Sequence, residues 1–171
     1  MNLARRIMFR TIGTGGGFVS NVPISQATLT ASSQHSSSYT APNAFNGDYG
    51  FSVGWISASS NPPNEDGSCW IQWEFTIPTT IQAFRFFPRG SGHGNFDDFR
   101  VKFSNTGVFN GEELLQVDFS AFPHDPAKED FSEWGVIETP VPAYYMRFEM
   151  ISGGEDYGNR VSICEAELYA L

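Results

Sequence analysis

The sequence predicts an all-β domain, a β-sandwich of the jelly-roll kind, with a short N-terminal extension. Segments in which apolar and polar residues alternate recur along the chain, with turn-forming Gly, Pro, Asn and Asp between them. Turns at a spacing of about ten residues are typical of sandwiches, whose longer loops cluster at the two ends. No segment has the apolar spacing of three and four residues that a long helix requires.

Eight segments are predicted to be strands. In chain order they are residues 26–31, 53–57, 69–77, 81–87, 97–104, 114–120, 143–151 and 160–170. The clearest is 69–77, in which apolar residues from Cys69 to Ile77 occupy every second position. In 97–104, Phe99 and Phe103 alternate with Arg100 and Lys102, which predicts one buried face and one face in water. We expect 81–87 and 97–104 to pair with each other.

Composition indicates how the domain is stabilised and which partners it lacks. The 171 residues suit one domain, and 16 Phe against 17% charged residues favour aromatic packing over ion-pair networks. The net charge of -9 argues against nucleic acid as a partner, because phosphate binding requires clustered Lys and Arg. The long loops are rich in Ser and acidic residues, which argues against a membrane partner.

Residues 1–24 are predicted to form an arm or hinge ahead of a domain at 25–171. Arg5, Arg6 and Arg10 give the first ten positions three of the ten basic residues of the chain, and 15–17 is a run of glycines. The arginines interrupt the apolar residues, so we expect no secretory signal. Two interpretations stay open: a tail or leader, and an arm that orders on a protein partner through residues 1–20.

The two cysteines, Cys69 and Cys164, allow one internal disulfide. Both share the parity of apolar neighbours in their strands, which favours buried free thiols over a bridge. No spacing typical of a zinc site is present in the sequence.

Seven segments, taken in order, resemble one family. They are ATLTASSQ, TAPNAFNGD, GWIS, CWIQWEF, IQAFRFFPRGSGHGNFDDFRVKFSNTG, YYMRFEM and VSICEAELYA. From about residue 25 to residue 171, their order is similar to that of the discoidin, or coagulation-factor type C, domains. It is equally similar to the galactose-binding-like carbohydrate-binding modules, which share the jelly-roll fold. The resemblance implies a non-catalytic recognition domain.

The resemblance also implies a structural calcium ion. Its ligands would be the backbone carbonyls of Ala44 and Phe45 and the side chains of Asn46, Asp48 and Glu165, oxygen donors of the kind that Ca²⁺ prefers. The family usually has an acid where this chain has Asn46, so we expect a weakened site. The alternative is an Asn-Gly turn without metal, with Glu165 as a hydrogen-bond acceptor.

In the sugar-binding relatives, the segment that resembles PRGSGHGN carries the residues that hold the ligand. The resemblance places these roles on Arg89 and Asn95, with His93 in the same loop and His35 in the first long loop as additions. Guanidinium and amide groups bind neighbouring hydroxyls through paired hydrogen bonds.

A sugar site also needs an aromatic face, for which Tyr157, Tyr39 and Trp55 are candidates. The alternative interpretation is that Arg89 pairs with an aspartate at 97 or 98 and that Tyr157 only caps a turn.

The most favoured function is therefore binding of a glycan or cell-surface polysaccharide. The alternative is a structural, decoration or assembly protein of a virion. A basic arm ahead of one recognition domain resembles a phage component, which suggests a virion or other extracellular-facing assembly, with the cytoplasm as the alternative location. We expect a larger or homo-oligomeric assembly.

An enzyme is not expected. GFSVG, residues 50–54, matches the nucleophile-elbow pattern around Ser52, but the helix that this motif requires is not predicted to follow.

Overall fold

The computed structural model describes residues 5–6, 18–49, 54–87, 89, 96–120, 131–153 and 158–171. Within these ranges the helices are two short 3-10 segments, Ile24–Gln26 and Ala41–Phe45. The described strands are β1 (Arg5–Arg6), β2 (Ala27–Ala31), β3 (Trp55–Ile56), β4 (Cys69–Phe87), β5 (Phe99–Ser104), β6 (Leu115–Phe119), β7 (Gly135–Val136), β8 (Pro142–Met150), β9 (Ser162–Ile163) and β10 (Glu165–Ala170). The prediction of an all-β jelly roll is confirmed.

The larger layer has the strand order β1-β6-β5-β8-β4, with β2 on the far side of β4. The second half of β4 pairs instead with β7 and β10, which form the smaller layer. Two short strands, β3 and β9, pair with each other. Apart from the parallel pair β1 and β6, the pairings of the described strands are antiparallel.

A single strand, β4, takes part in both layers, where the sequence predicted two separate strands. Its partner β8 advances by two residues, from Tyr145 to Ala143, while β4 advances by five, from Glu74 to Thr79. The extra residues make an irregularity at which the chain turns from one layer into the other. Ile77, predicted to be buried, lies in this irregularity and is 58% exposed.

The predicted pairing of 81–87 with 97–104 is wrong. β5 pairs with β6 and β8, so β8 separates it from β4 within the larger layer. Strands that follow one another along the chain are often neighbours, and this favoured the wrong pairing. β4 therefore ends in the smaller layer, and β5 begins in the larger one.

Phenylalanine rings fill the space between the layers, as the composition predicted. The ring of Phe84, on the smaller layer, lies 4.9 Å from that of Phe148 and 5.1 Å from that of Phe119, both on the larger layer. Phe99 and Phe119 stack at 5.0 Å. These centroid distances are in the favourable range for aromatic pairs.

The opposite face of β5 is not in water, contrary to the prediction. Lys102 is only 8% exposed. Its Nζ lies 3.1 Å from Oε1 of Glu149, which is itself buried, and 3.3 Å from Oε1 of Glu113. Two loops cover this face. In loop 58–68, the backbone amide of Asn64 donates to the carbonyl of Met150. In the loop after β5, the backbone amide of Leu114 donates to the carbonyl of Phe103.

The covering loop 58–68 lies so close to the sheet that it requires a glycine. Gly67 has a φ of 72°, and a Cβ at this position would lie 2.5 Å from Oε2 of Glu149. Only glycine adopts this conformation without strain and leaves room for the carboxylate.

The described residues before β2 contact the domain. Arg5 and Arg6 lie opposite Val117 and Asp118 of β6. Further on, Asn21 exchanges hydrogen bonds with Ala170, and Val22 is buried. Residues 18–24 thus pack on the domain, and the boundary at residue 25 stays a prediction. None of the helices in the described ranges has both the length and the apolar character needed to cross a membrane.

Both cysteines are free and fully buried, which confirms the prediction of free thiols. Burial raises the pKa of the Cys69 thiol to about 11 and that of the Cys164 thiol to about 12. Neither thiol is therefore a reactive nucleophile at neutral pH.

Candidate ligand-binding site

The two ends of β4 lie at the same end of the sandwich, and this arrangement gathers the long loops there. Cys69, at the start of β4, is opposite Met150, which is also opposite Phe99 of β5. Phe86, near the other end of β4, packs against that same Phe99 at 6.0 Å. The loops that follow β2, β4 and β8 therefore begin close together, and Arg89 lies two residues beyond β4.

Three planar side chains meet at this end. Nη2 of Arg89 donates to the hydroxyl of Tyr39 at 3.2 Å, and the guanidinium carbon lies 4.8 Å from the centroid of the Tyr39 ring. The Tyr39 and His35 rings are 5.9 Å apart and nearly parallel, at 24°. His35 is exposed, while Tyr39 and Arg89 are half-buried. The stack presents a cation, a phenol and an imidazole to solvent at the loop end.

Two hydrogen bonds hold the start of this first long loop in place. The amide of His35 donates to the carbonyl of Ile56 at 2.8 Å. Nε1 of Trp55 donates to the carbonyl of Ser33 at 2.8 Å. Trp55 is fully buried, so its candidacy as a sugar-facing ring is wrong. Its role is to anchor the loop that carries His35 and Tyr39.

The structure thus brings together Arg89, His35 and Tyr39 among the predicted site residues. His93, Asn95 and Tyr157 lie outside the described residues, as does Ser52. Phe96, which follows His93 and Asn95, and Gly153, which precedes Tyr157, form an antiparallel bridge with each other. The sequence offered Tyr39 only as one of three aromatic candidates and did not indicate that it contacts Arg89.

The residues predicted to bind calcium meet at a second place, where the 3-10 helix Ala41–Phe45 meets β10. Oε2 of Glu165 accepts hydrogen bonds from the backbone amides of Asn46 at 3.1 Å and Gly47 at 3.0 Å. Oδ1 of Asn46 accepts from the amide of Asp48 at 2.8 Å. Ala44 and Phe45 are buried beneath this turn.

Sequence comparison assigns the chain to a family. The model of the F5/8 type C domain matches residues 28–165. The chain belongs to the F5/8 type C domain family. No curated protein matches the sequence significantly.

Solved structures resemble this F5/8 type C domain over nearly its whole length. The family 32 carbohydrate-binding module of Clostridium perfringens NanJ, in complex with galactose, has a TM-score of 0.66 and 18% identity, covering 88% of this chain and 98% of that one. CpGH89CBM32-5 from the same organism, in complex with GalNAc-β-1,3-galactose, has a TM-score of 0.65 and 17% identity, covering 86% and 98%. A fucose-binding module of Streptococcus pneumoniae has a TM-score of 0.60 and 15% identity, covering 88% and 96%.

The electrostatics of Glu165 fit a cation in this F5/8 type C domain. Glu165 is 3% exposed, and burial raises the pKa of its carboxyl to about 7, although the amides of Asn46 and Gly47 oppose the shift. A calcium ion would offset this cost, with Glu165, Asp48 and the carbonyls of Ala44 and Phe45 as ligands. The Asn46 side chain is engaged in its turn.

The described His, Cys, Asp and Glu side chains do not form a group of three or more that could hold a metal ion. A calcium ion here would therefore rely largely on backbone carbonyls. The hydrogen bonds of Glu165 and Asn46 are those of the metal-free alternative, so calcium stays a prediction.

Proposed function

We propose that this F5/8 type C domain is a non-catalytic glycan-binding module and that its sugar site is the loop end where His35, Tyr39 and Arg89 meet. The observation that carries the proposal is the position of Arg89, which is oriented by Tyr39 at the open end of the sandwich. Structural relatives solved with galactose and with GalNAc-β-1,3-galactose, together with a fucose-binding module, support a sugar as the ligand.

The chemistry of the three side chains suits a neutral sugar. The guanidinium of Arg89 has several N–H donors in one plane and can bind two neighbouring hydroxyls at once. The contact with Tyr39 fixes that plane before the ligand arrives, which lowers the entropy cost of binding. The exposed imidazole of His35 supplies a further donor or acceptor.

His93, Asn95 and Tyr157 complete the proposed site. Asn95 immediately precedes Phe96, and Tyr157 follows Gly153 by four positions. The bridge between Phe96 and Gly153 brings the residue after Asn95 close to the start of the segment that carries Tyr157, which supports an amide and a second aromatic ring as further contacts of a sugar held by Arg89. Calcium at Glu165 is a separate proposal, and this sugar site does not depend on it.

Titration of the full chain with galactose, GalNAc-β-1,3-galactose and fucose, followed by calorimetry, tests the proposal. We expect Arg89→Ala to weaken binding by about tenfold or more, because a hydrogen bond to a charged group is worth about 1.5–3 kcal/mol. Tyr39→Phe removes the hydroxyl that orients Arg89 and should weaken binding by a smaller factor.

Tyr144→Phe is the matched control, because Tyr144 is 40% exposed and is not part of the stack. Its affinity should equal that of the unchanged chain. Equal binding by a folded Arg89→Ala variant would remove Arg89 from the site. Absence of binding to all three sugars would count against the function itself.

Display on a virion, a protein partner for residues 1–20 and an oligomeric assembly stay predictions from the sequence. The only described contact of the first ten residues is the pairing of Arg5 and Arg6 with β6 of the same chain. That contact favours neither a virion protein nor a glycan-binding domain outside a virion.

A further inference from the structure

The outer side of the smaller layer carries a groove that is separate from the loop end. Its volume is about 470 Å³, within the range of about 300–1,000 Å³ that small-molecule sites occupy. The segment after residue 17 forms one wall, the turn after Phe45 forms the other, and β10 forms the floor. Its lining includes Phe18, Ile24, Tyr49, Arg85, Glu165 and Glu167.

The floor of the groove holds a fixed pair of opposite charges. Nε and Nη2 of Arg85 lie 2.7 Å and 2.6 Å from the same Oε2 of Glu167. The guanidinium carbon lies 4.2 Å from the ring centroid of Phe131 and 4.8 Å from that of Trp134. Cation–π contacts and an ion pair therefore hold the plane of Arg85 in one orientation, with its side chain still 30% exposed.

Aromatic rings form rigid walls beside this pair. Tyr49 is 49% exposed, although its ring packs at 5.6 Å against Phe131. Its hydroxyl lies 3.4 Å from Oε1 of Glu167, so the phenol is directed toward the floor. On the opposite wall, Phe18 packs against Trp134 at 5.6 Å and against Tyr169 at 5.0 Å.

We propose that this groove is a second saccharide-binding site, selective for a neutral pyranose. An exposed aromatic face beside a planar guanidinium–carboxylate pair offers apolar contact for the C–H face of a sugar and hydrogen bonds for its hydroxyls. Arg85 and Glu167 neutralise each other, and Oε2 of Glu165 is already bonded to two backbone amides.

Other occupants fit the groove less well. An anionic ligand would face Glu165 and Glu167, two carboxylates against the one guanidinium of Arg85. A purely apolar partner would remove water from the Arg85–Glu167 pair, and the desolvation of two charges opposes such binding. A neutral ligand with hydroxyl groups avoids both costs.

The inference goes beyond the site at Arg89 and does not rest on it, because none of the three stacked residues lines the groove. Two sugar sites on one domain would bind a polyvalent glycan more tightly than either site alone. The chain would then favour surfaces that carry many sugar units over single free sugars.

Nuclear magnetic resonance of the full ¹⁵N-labelled chain tests the inference, with galactose, N-acetylgalactosamine and fucose each added alone. We expect saturable shifts of the amides of Gly47, Tyr49 and Glu167, in addition to any shifts around Arg89. Tyr49→Ser should weaken the groove response by about tenfold, because stacking and polar contacts are lost together. Glu167→Gln, a second variant, should weaken it as well.

Tyr144→Ser is the matched control, since Tyr144 is 40% exposed and does not line the groove. It should leave the groove shifts unchanged. Shifts confined to the surroundings of Arg89 would overturn the second site and leave the proposed function intact. Shifts confined to the groove would overturn the sugar site at Arg89 and leave the groove site intact. The absence of any shift would reject both sugar sites. Equal shifts with acetate or methylammonium would also overturn the assignment to a neutral sugar.

Discussion

The inner face of the larger layer and the part of its outer face around Lys102 are both buried, but they are buried in different ways. On the inner face, Phe99 and Phe148 pack against rings of the smaller layer. On the outer face, Lys102 and Glu149 are as well covered, yet they are charged and lie beneath loops. The comparison teaches that alternation along a strand separates apolar from polar side chains, and does not by itself separate buried from exposed ones.

The same outer face shows how long side chains are held under such a cover. Nε and Nη2 of Arg147 donate to Oε1 of Gln72 at 3.0 Å and 2.7 Å. The guanidinium lies between two rings, 4.2 Å from Trp70 and 4.0 Å from Phe109. Here each charge has a specific partner, while the inner face relies on shape and apolar area.

Removal of a ring from the inner face should have the largest effect on stability. Phe84 is fully buried and contacts rings of the larger layer. We expect Phe84→Ala to lower the free energy of unfolding by about 3–5 kcal/mol through lost burial and a new cavity. Urea denaturation measures this change. A loss below about 1 kcal/mol would contradict the view that the aromatic layer carries the stability.

Removal of a charge from the outer face should have a smaller effect that depends on its partners. Glu149→Gln keeps the shape of the side chain but leaves Lys102 and Arg100 without their shared carboxylate. We expect a loss of about 1–3 kcal/mol in the same denaturation assay. Glu138→Gln, at an exposed position, is the control and should stay within about 0.5 kcal/mol. Equal effects of the two variants would mean that the outer cluster contributes no more than surface charges.

A second buried glutamate, Glu165, sharpens the comparison. It accepts hydrogen bonds from backbone amides, whereas Glu149 is paired with cations. The pKa of Glu165 is raised from 4.5 to about 7, so between these values the folded state binds a proton more tightly than the unfolded state. In a chelator, the contribution of Glu165 to stability should therefore fall as pH rises from about 4.5 to about 7. Between thermal melts at pH 5 and pH 7.5, the Tm should fall less for Glu165→Gln than for the unchanged chain.

Calcium tests the ionised form of the same Glu165 carboxylate. Added Ca²⁺ at pH 7.5 should raise the Tm of the unchanged chain by binding the ionised form, and the rise should be lost in Glu165→Gln. A Tm that neither Ca²⁺ nor chelator alters would count against the metal. A pH dependence identical in the variant and the unchanged chain would show that Glu165 does not titrate in this range.

The sequence predicted individual strands better than it predicted their neighbours. Cys69, Trp73 and Phe75 have the burial that their parity indicated. The turn within β4 could not be predicted, because a strand that changes layer keeps its local alternation on both sides of the irregularity. The neighbours of β5 were equally hidden, since pairing depends on contacts far apart in the chain.

The candidate site was also predictable only in part: some of its residues were predicted, but their contacts were not. Resemblance to the family pointed to Arg89, and His35 was placed in a loop expected near it. Tyr39 as the group that orients Arg89, and Trp55 as a buried anchor, depend on how the loop folds back on Ile56. Loop conformation is decided by such distant partners, and local sequence carries little information about them.

By itself, the sequence determined the fold class and the aromatic character of the core, and it favoured free cysteines, because each follows from residue type and short-range spacing. Only the tertiary structure decided that β4 belongs to both layers, that charged residues can be buried under loops, and that Arg85 and Glu167 form the floor of a groove. These features depend on which surfaces meet after the chain has folded, and that depends on long-range packing.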